Sequence, residues 1–434
     1  MSMWTYSLKC SLRSLGRELV RNFWGRVFVY PALAANERSR RALAAYVAGR
    51  AQALQVPLDG DGTTLPVLSP SIPMLTKQEV RLYPERLVRP RGPGSWIRSR
   101  IKTSGTSGTP LTVVQTLGNM IREDGFTWRQ LRWIGYRHGQ RRAWIRGDIV
   151  CPDHPTDGVY WCRDWVGNML LMSSYHLSSE TIGRYVEALE AFDPVVIHAY
   201  PSSIAALAGW LNAAGRRYRG RSLLGVMTSS ETLEPGVRSA VEQAFGVKVF
   251  DWYGQSERVA AIGTCEHGRY HVMTDYGGVG LLELDGESGA CELVGTTFNN
   301  AAMPLVRYRT GDRIIPDEHP YDCPCGRVFP TVKAVIGRQE KIVTLPDGRI
   351  IARLDRIFQG HDRHMVEGQV LYRGDGQFVL RVVATDGFTD ADAQALVDKF
   401  LLRVPGVTVR VERVAAIPRG PNGKFEFITF ATDA

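Results

Sequence analysis

Between residues 195 and 252 the sequence alternates short apolar runs with helix-patterned segments, and this restricts the fold more than any other feature. Val195 to His198 reads as a buried strand, followed by Pro201 and a helix over 202–214. Leu223 to Thr228 reads as a second strand, Pro235 to Phe245 as a second helix, and Val247 to Trp252 as a third strand. Strand, helix and strand repeated in this way require crossover connections, hence a parallel or mixed sheet with helices on its faces. Open sheets of this kind take their ligands at the carboxyl ends of the strands, so the stretch Tyr253 to Glu257 is well placed for function.

At 434 residues the chain exceeds what one hydrophobic core serves, so a large and a small domain are expected. Residues 1–90 read as helical and then loop-like, packed on the large domain and ending in Arg89-Pro90-Arg91-Gly92-Pro93-Gly94. Residues 91–336 read as the large α/β domain, with mixed or parallel sheets and flanking helices. After Gly337 the texture turns to strands at Glu367 to Tyr372, Phe378 to Thr385 and Val407 to Val414, with a helix near Asp390 to Leu402. Residues 337–434 therefore read as a small α+β domain.

Charge is unevenly placed. Of the formal +9, most falls in residues 1–50, which hold nine Lys or Arg against Glu18 and Glu37. The same segment carries Leu12, Leu15, Leu19, Phe23, Trp24 and Phe28. Two readings stay open: a helical cover on the large domain with a solvated basic face, or a peripheral segment touching an anionic membrane or partner. No basic groove interleaved with aromatics is visible, which argues against nucleic acid. No stretch approaches the ~20 apolar residues of a membrane span. Val27 to Ala35 is short and broken by Pro31, which argues against a secretory leader. Seven cysteines, an odd number in a long chain, suggest a reducing cytoplasm.

The run Thr103-Ser104-Gly105-Thr106-Ser107-Gly108-Thr109-Pro110-Leu111 has the composition of a phosphate-gripping loop, since glycines admit close backbone approach and hydroxyls add donors. No Lys-Ser or Lys-Thr follows, so it is not a Walker loop. A flexible linker has the same texture. Four further segments stand downstream: Asp251-Trp252-Tyr253-Gly254-Gln255-Ser256-Glu257, Arg307-Tyr308-Arg309-Thr310-Gly311-Asp312, Ile336-Gly337-Arg338 and Gly420-Pro421-Asn422-Gly423-Lys424. In this order the set resembles the adenylate-forming (AMP-binding) superfamily of acyl-CoA synthetases and adenylation domains. Ser69 to Lys77, Ala199 to Ser203 and Thr228-Ser229-Ser230-Glu231 are similar to its phenylacetate-CoA ligase-like branch, which includes capsule-biosynthesis-type proteins.

The resemblance implies an ATP-dependent ligase that joins a carboxylate to AMP, releases pyrophosphate, and passes the acyl group to an acceptor. Thr103 to Thr109 would hold the β- and γ-phosphates, Glu257 would ligate Mg²⁺, and Asp312 would accept the ribose hydroxyls. Ser230, Glu231 and Asp251 to Ser256 would line the nucleotide site. Arg338 would sit near ribose and phosphate, Lys424 would stabilise charge at the α-phosphate and carboxylate, and Glu340 falls at the family's hinge. His198, Tyr200, Met227, Thr228, Ser229, Tyr253 and Gly254 would line the acyl pocket, an aromatic acid being the family default.

Two thiols one residue apart, Cys323 and Cys325, lie downstream of Cys265-Glu266-His267-Gly268-Arg269-Tyr270-His271, and together these types can close a tetrahedral N/S site. In the resembled branch such a set binds zinc, which implies Cys265, His271, Cys323 and Cys325, with His267 as the alternate. A second grouping, Cys151, His154 and Cys162, is too loosely spaced to be read as a ligand set. One departure concerns the acceptor. Where branch members carry a glycine turn that helps to form the pantetheine tunnel, this chain has a hairpin-like Pro346-Asp347-Gly348 turn. CoA, a carrier-protein thiol, an amine or no acceptor beyond the adenylate all stay open. The alternatives to acid activation are adenylylation of a cofactor hydroxyl and a non-catalytic homologue acting in polysaccharide assembly.

Overall fold

The computed structural model describes residues 3–92, 95–102, 111–152, 155, 158–178, 180–284, 289–337, 343–351, 354–358, 364–384, 387–417 and 427–431. Its centre is a mixed sheet of twelve strands. The strands Met169–Ser173, Arg142–Arg146, Val196–Ala199, Gly225–Ser229 and Lys248–Gly254 run parallel to one another in that spatial order. The helices Ile182–Phe192, Pro201–Ala213 and Pro235–Phe245 make the crossovers. Pro201 and Pro235 each occupy the first helical position, where their missing N–H costs nothing. Gly246 ends the third helix at φ 69°, a left-handed conformation that glycine adopts without strain.

These helices bury Tyr185, Val186, Leu189, Ile204, Leu207, Leu211 and Val241 against Ile145, Ile197, Val226 and Val249 of the sheet. On the opposite face, helix Leu117–Ile134 packs Leu131 and Ile134 against Val196, Met227 and Phe250. It is capped by Thr116, whose hydroxyl accepts from Asn119 N at 3.0 Å, and stops at Gly135, φ 97°. Within it Arg129 makes a wholly buried bidentate pair with Asp275 at 2.8 and 3.0 Å, and Asn36 donates to the same carboxylate at 3.0 Å. A buried pair of this kind is a weak source of net stability, but loss of either partner strands a charge. It therefore fixes how the N-terminal helices, this helix and the sheet meet.

Seven antiparallel strands complete the sheet, six of them, from Ala261–Thr264 to Gly277–Glu283, extending it beyond Lys248–Gly254. Both of its borders are occupied. At one, Leu68 N donates to Leu281 O at 2.7 Å and Leu281 N to Pro66 O at 2.9 Å. At the other, strand Trp161–Asp164 lies under the first helix, Met3–Arg17. Arg163 N donates to Ser7 Oγ at 3.1 Å, Trp165 N donates to Ser11 Oγ at 2.9 Å, and Ser14 Oγ bonds Asp164. The helix continues through two π segments, Glu18–Asn22 and Gly25–Val29, into Tyr30–Asn36. It crosses helix Leu117–Ile134 where Gly25 meets Gly125. A Cβ on Gly25 would lie 2.6 Å from Ile121 O, so this crossing needs glycine.

The first helix lies on the edge strand Trp161–Asp164 with a serine face inward and its apolar face outward. The reason is that an edge strand's N–H groups need acceptors, which leucines cannot supply.

Arg98–Lys102 pairs antiparallel with Thr112–Thr116. Further on, Val343–Thr344 pairs with Ile350–Ile351 across the Pro346-Asp347-Gly348 turn, with Gly348 at φ 79°. A four-stranded sheet follows, in the order Thr408–Arg413, Gln377–Ala384, Met365–Gly374 and Ile428–Phe430. Helix Asp390–Leu401, opened by a Thr389–Asp392 capping box, packs Leu396 and Phe400 onto Phe378, Leu380 and Val382. Ile428–Phe430 was not anticipated, because three residues give no readable alternation.

Candidate functional site

The carboxyl ends of the parallel strands gather most of the described residues that the sequence singles out. Two motifs interlock there. Tyr253, in strand Lys248–Gly254, donates its hydroxyl to Asp312 Oδ2 at 2.7 Å. Tyr308, which opens strand Tyr308–Pro316, donates to Glu257 Oε1 at 3.1 Å. Each motif therefore supplies a tyrosine to the other's carboxylate. Both acids are buried, with Glu257 6% and Asp312 8% exposed, and burial of a carboxylate is tolerated only with such donors. Asp312 is further set by its own N–H on Thr310 Oγ1 at 3.0 Å.

Asp251 and Thr228 form a different contact. Thr228 Oγ1 donates to Asp251 Oδ1 at 2.6 Å, Tyr270 OH donates to Oδ2 at 3.0 Å, and Asp251 N donates to Thr264 Oγ1 at 2.7 Å. Burial pushes the Asp251 carboxyl above its usual value despite those donors. Strand alternation turns Thr228 to the opposite face from Met227 and Ser229. Both oxygens of Asp251 are thus spent inside the fold. Glu231 is likewise committed, accepting from Ser202 N at 2.9 Å and Ser202 Oγ at 3.1 Å, where it satisfies the N-terminus of helix Pro201–Ala213.

His198 lies beside Ser229, Nε2 to Oγ 3.1 Å, with its ring edge-on to Trp144 at 4.5 Å. Burial, reinforced by Arg146 and Arg142, holds its pKa well below 6.5, so the imidazole is neutral. Arg146 spans Trp144 and Tyr200, 4.9 and 5.0 Å from the ring centres, and donates to Ser230 Oγ at 2.6 Å. Ser230 sits at φ 74°, a strained conformation for a residue with a Cβ. Tyr200 is 3% exposed, and its hydroxyl meets no hydrogen-bond partner among the described residues. Gly147 leaves room beside it, since a Cβ there would lie 2.7 Å from Tyr175 OH and 3.2 Å from Tyr200 OH. Met227 packs in the core instead, against Leu131, Ile134 and Phe250.

A second cluster sits beyond strand Ala261–Thr264. Cys265 opens a tight turn closed by Gly268 N on Cys265 O at 2.8 Å, and His271 follows in strand Tyr270–Val272. Cys323 and Cys325 arrive on a turn closed by Gly326 N on Cys323 O at 3.2 Å. Cys265 Sγ and Cys323 Sγ are 3.6 Å apart, Cys325 Sγ and His271 Nε2 are 3.3 Å apart, and all four ligand atoms lie within 4.8 Å of one another. Zinc–sulfur bonds of about 2.3 Å in a regular tetrahedron place sulfurs about 3.8 Å apart. The spacing therefore fits zinc.

His271 Nδ1 faces Phe329 O at 3.1 Å. A carbonyl only accepts, so Nδ1 keeps its proton, and Nε2, facing the thiols, is the nitrogen that would give up its proton to a metal. Burial disfavours a charged imidazole, yet the Cys265 and Cys325 sulfurs raise His271 to about 9. Burial likewise opposes a Cys325 thiolate, and His271 still draws that thiol down to about 6. His267 is exposed and stands outside this set.

No family model matches the chain. Protein CapK of Staphylococcus aureus is 22% identical over 368 residues, covering 82% of this chain and 79% of that protein. A phenylacetate-coenzyme A ligase of Thermus thermophilus is 25% identical over 395 residues, covering 82% and 85%. The chain is related to the phenylacetate-CoA ligase-like branch of the adenylate-forming superfamily. Among solved structures, a 2-hydroxyisobutyryl-CoA ligase in complex with 2-HIB-AMP and CoA is similar over 83% of this chain and 80% of that one, at 18% identity and a TM-score of 0.48.

Glu257 and Asp312 are among the described residues. Thr103 to Thr109, Arg338, Glu340 and Lys424 lie outside the described residues. Arg307, which opens the third motif, is bonded to Asp59 at 2.7 Å. The looser grouping dissolves: Cys162 Sγ faces Cys10 Sγ at 3.6 Å, Cys151 Sγ faces His176 Nδ1 at 3.7 Å, and His154 lies outside the described residues. Sequence reading missed Trp144, Arg146 and Gly147. The available signal was their place toward the end of strand Arg142–Arg146, second in the spatial order of the parallel group.

Proposed function

We propose that the chain activates a carboxylic acid with ATP. A carboxylate oxygen attacks the α-phosphorus, the bond to the β-phosphate oxygen breaks, and pyrophosphate leaves with that electron pair. A thiol, CoA first among the acceptors, then attacks the acyl carbon and AMP departs. The observation that supports this reading is the reciprocal Tyr253–Asp312 and Tyr308–Glu257 contact, which sets two buried carboxylates at the strand ends, each with one oxygen pinned by a phenol.

Asp312 would take the ribose hydroxyls, and Glu257 offers Mg²⁺ a hard oxygen ligand. Bound there, the ion would neutralise charge as an anion approaches a polyanion. The residues of the chain do the positioning. Thr103 to Thr109 would grip the β- and γ-phosphates from the end of their hairpin. Lys424 and Arg338, in or beside residues 337–434 read as a mobile small domain, would meet the α-phosphate. The acid would lie against Trp144, His198 and Tyr200. His198, being neutral, can orient it by hydrogen bonding without adding a charge. The four-residue cluster would hold a structural zinc that ties two turns together.

Pyrophosphate release over a panel of aromatic and aliphatic acids, with hydroxylamine trapping, tests the reading. An acid-dependent hydroxamate is expected. Pyrophosphate release without hydroxamate would place the adenylyl group on a hydroxyl instead, and ATP binding without turnover on any acid would leave a scaffold.

A further inference from the structure

The N-terminal helix is docked in reverse of the usual amphipathic order. Its serines face the protein, through Ser7, Ser11 and Ser14 on strand Trp161–Asp164. Its large apolar side chains face outward. Of twenty large hydrophobic side chains that stand exposed among the described residues, nine lie between Trp4 and Phe28. Leu12, Leu15, Leu19 and Phe23 follow one another at three- and four-residue spacing, and Trp24 and Phe28 stack beside them at 5.1 Å.

The placement is firm rather than incidental. Arg21 grips Asp124 through two bonds of 2.7 Å, and Gly25 and Gly125 interlock below. The helix therefore cannot roll its leucines inward without breaking its own attachment. Trp165 and Val166, exposed on the turn that Ser11 holds, extend the apolar surface sideways.

Along the flank of this stripe run Lys9, Arg13 and Arg17, spaced by four and all exposed. Cations beside an outward apolar face, with tryptophans at its margin, match a surface that lies in the headgroup region of a bilayer. A second copy of the chain would bring these like charges together, whereas an anionic bilayer complements them. No described helix is long and apolar enough to cross a membrane. We propose that this face seats the protein on an anionic lipid surface, with the helix lying in the interface plane.

The test is co-sedimentation of the full chain with vesicles of mixed phosphatidylserine and phosphatidylcholine, and with phosphatidylcholine alone. Binding to the mixed vesicles, weakened by added salt, is expected, together with a blue shift of tryptophan emission. Replacing Lys9, Arg13 and Arg17 together by Gln should lower partitioning roughly a hundredfold, at the usual contribution of one basic side chain each. Leu12→Gln with Leu19→Gln should lower it at least about tenfold, since each leucine loses its buried area. Both variants should melt as the parent does, because the altered side chains meet solvent. The proposal is overturned if the parent binds neither vesicle. It is overturned equally if the leucine variant partitions as the parent, or if sedimentation velocity finds a dimer that this variant dissociates while vesicle binding is absent.

Discussion

The Cys/His cluster and the Glu257–Asp312 pair belong to the same sheet, yet they are held in opposite ways. In the cluster four ligand atoms converge on one point, with Phe329 O engaging the far nitrogen of His271. The two carboxylates are each pinned from one side by a tyrosine of the opposite motif. A centre whose ligand atoms converge on one point suits a resident ion, and buried carboxylates steadied by phenols at the strand ends suit a ligand that arrives and departs. Loss of the first should cost stability, and loss of the second should cost chemistry.

The largest expected effect breaks the cluster. Cys325→Ser should lower the unfolding free energy by at least about 4 kcal/mol, the scale of a lost metal site, and remove about one equivalent of zinc by metal analysis. Unchanged melting with no zinc in the parent would refute a structural ion. Glu257→Gln should do the reverse. Acid-dependent pyrophosphate release should fall by a hundredfold or more, about 3 kcal/mol of transition-state stabilisation, while the melting temperature stays near that of the parent. A variant that melts early and turns over normally would erase the contrast.

The smallest effect concerns His198, a buried base with neither metal nor carboxylate to compensate it. Its depressed pKa means that the unfolded chain binds a proton more readily than the folded one. Its contribution is therefore intact above pH 6.5 and is lost as pH falls from 6.5 toward the depressed folded value, by up to about 1.4 kcal/mol per unit. His198→Gln should flatten that part of the acid limb in chemical denaturation. Identical limbs in parent and variant would show that the imidazole ionises freely in the fold.

Local pattern carried much of this molecule. The apolar runs between 195 and 252 were legible because strands buried on both faces read as unbroken hydrophobic stretches, and proline and glycine mark the helix ends. That Cys265, His271, Cys323 and Cys325 come together was implied by the resemblance, whereas ligand types alone left His267 open beside His271. The crossed tyrosines were not legible. Tyr253 and Asp312 lie 59 positions apart, and nothing in either motif states that one serves the other. Asp251 and Glu231 looked like site residues from their motif positions, but contacts from Thr228, Tyr270 and Ser202 spend their oxygens within the fold. The orientation of the first helix was not legible for a related reason. Its leucines and arginines are conspicuous, while the serines that decide its orientation act only through partners on a distant strand.

Those serines also bear on how the chain assembles. Both margins of the twelve-stranded sheet are finished by the first seventy residues, Pro66 and Leu68 on one side and Ser7, Ser11 and Ser14 on the other. The earliest part of the chain must wait for strands made much later before it has anywhere to bind. Until it does, the sheet offers two open ladders to neighbouring molecules, so a delay in seating this segment would be felt first as aggregation during synthesis.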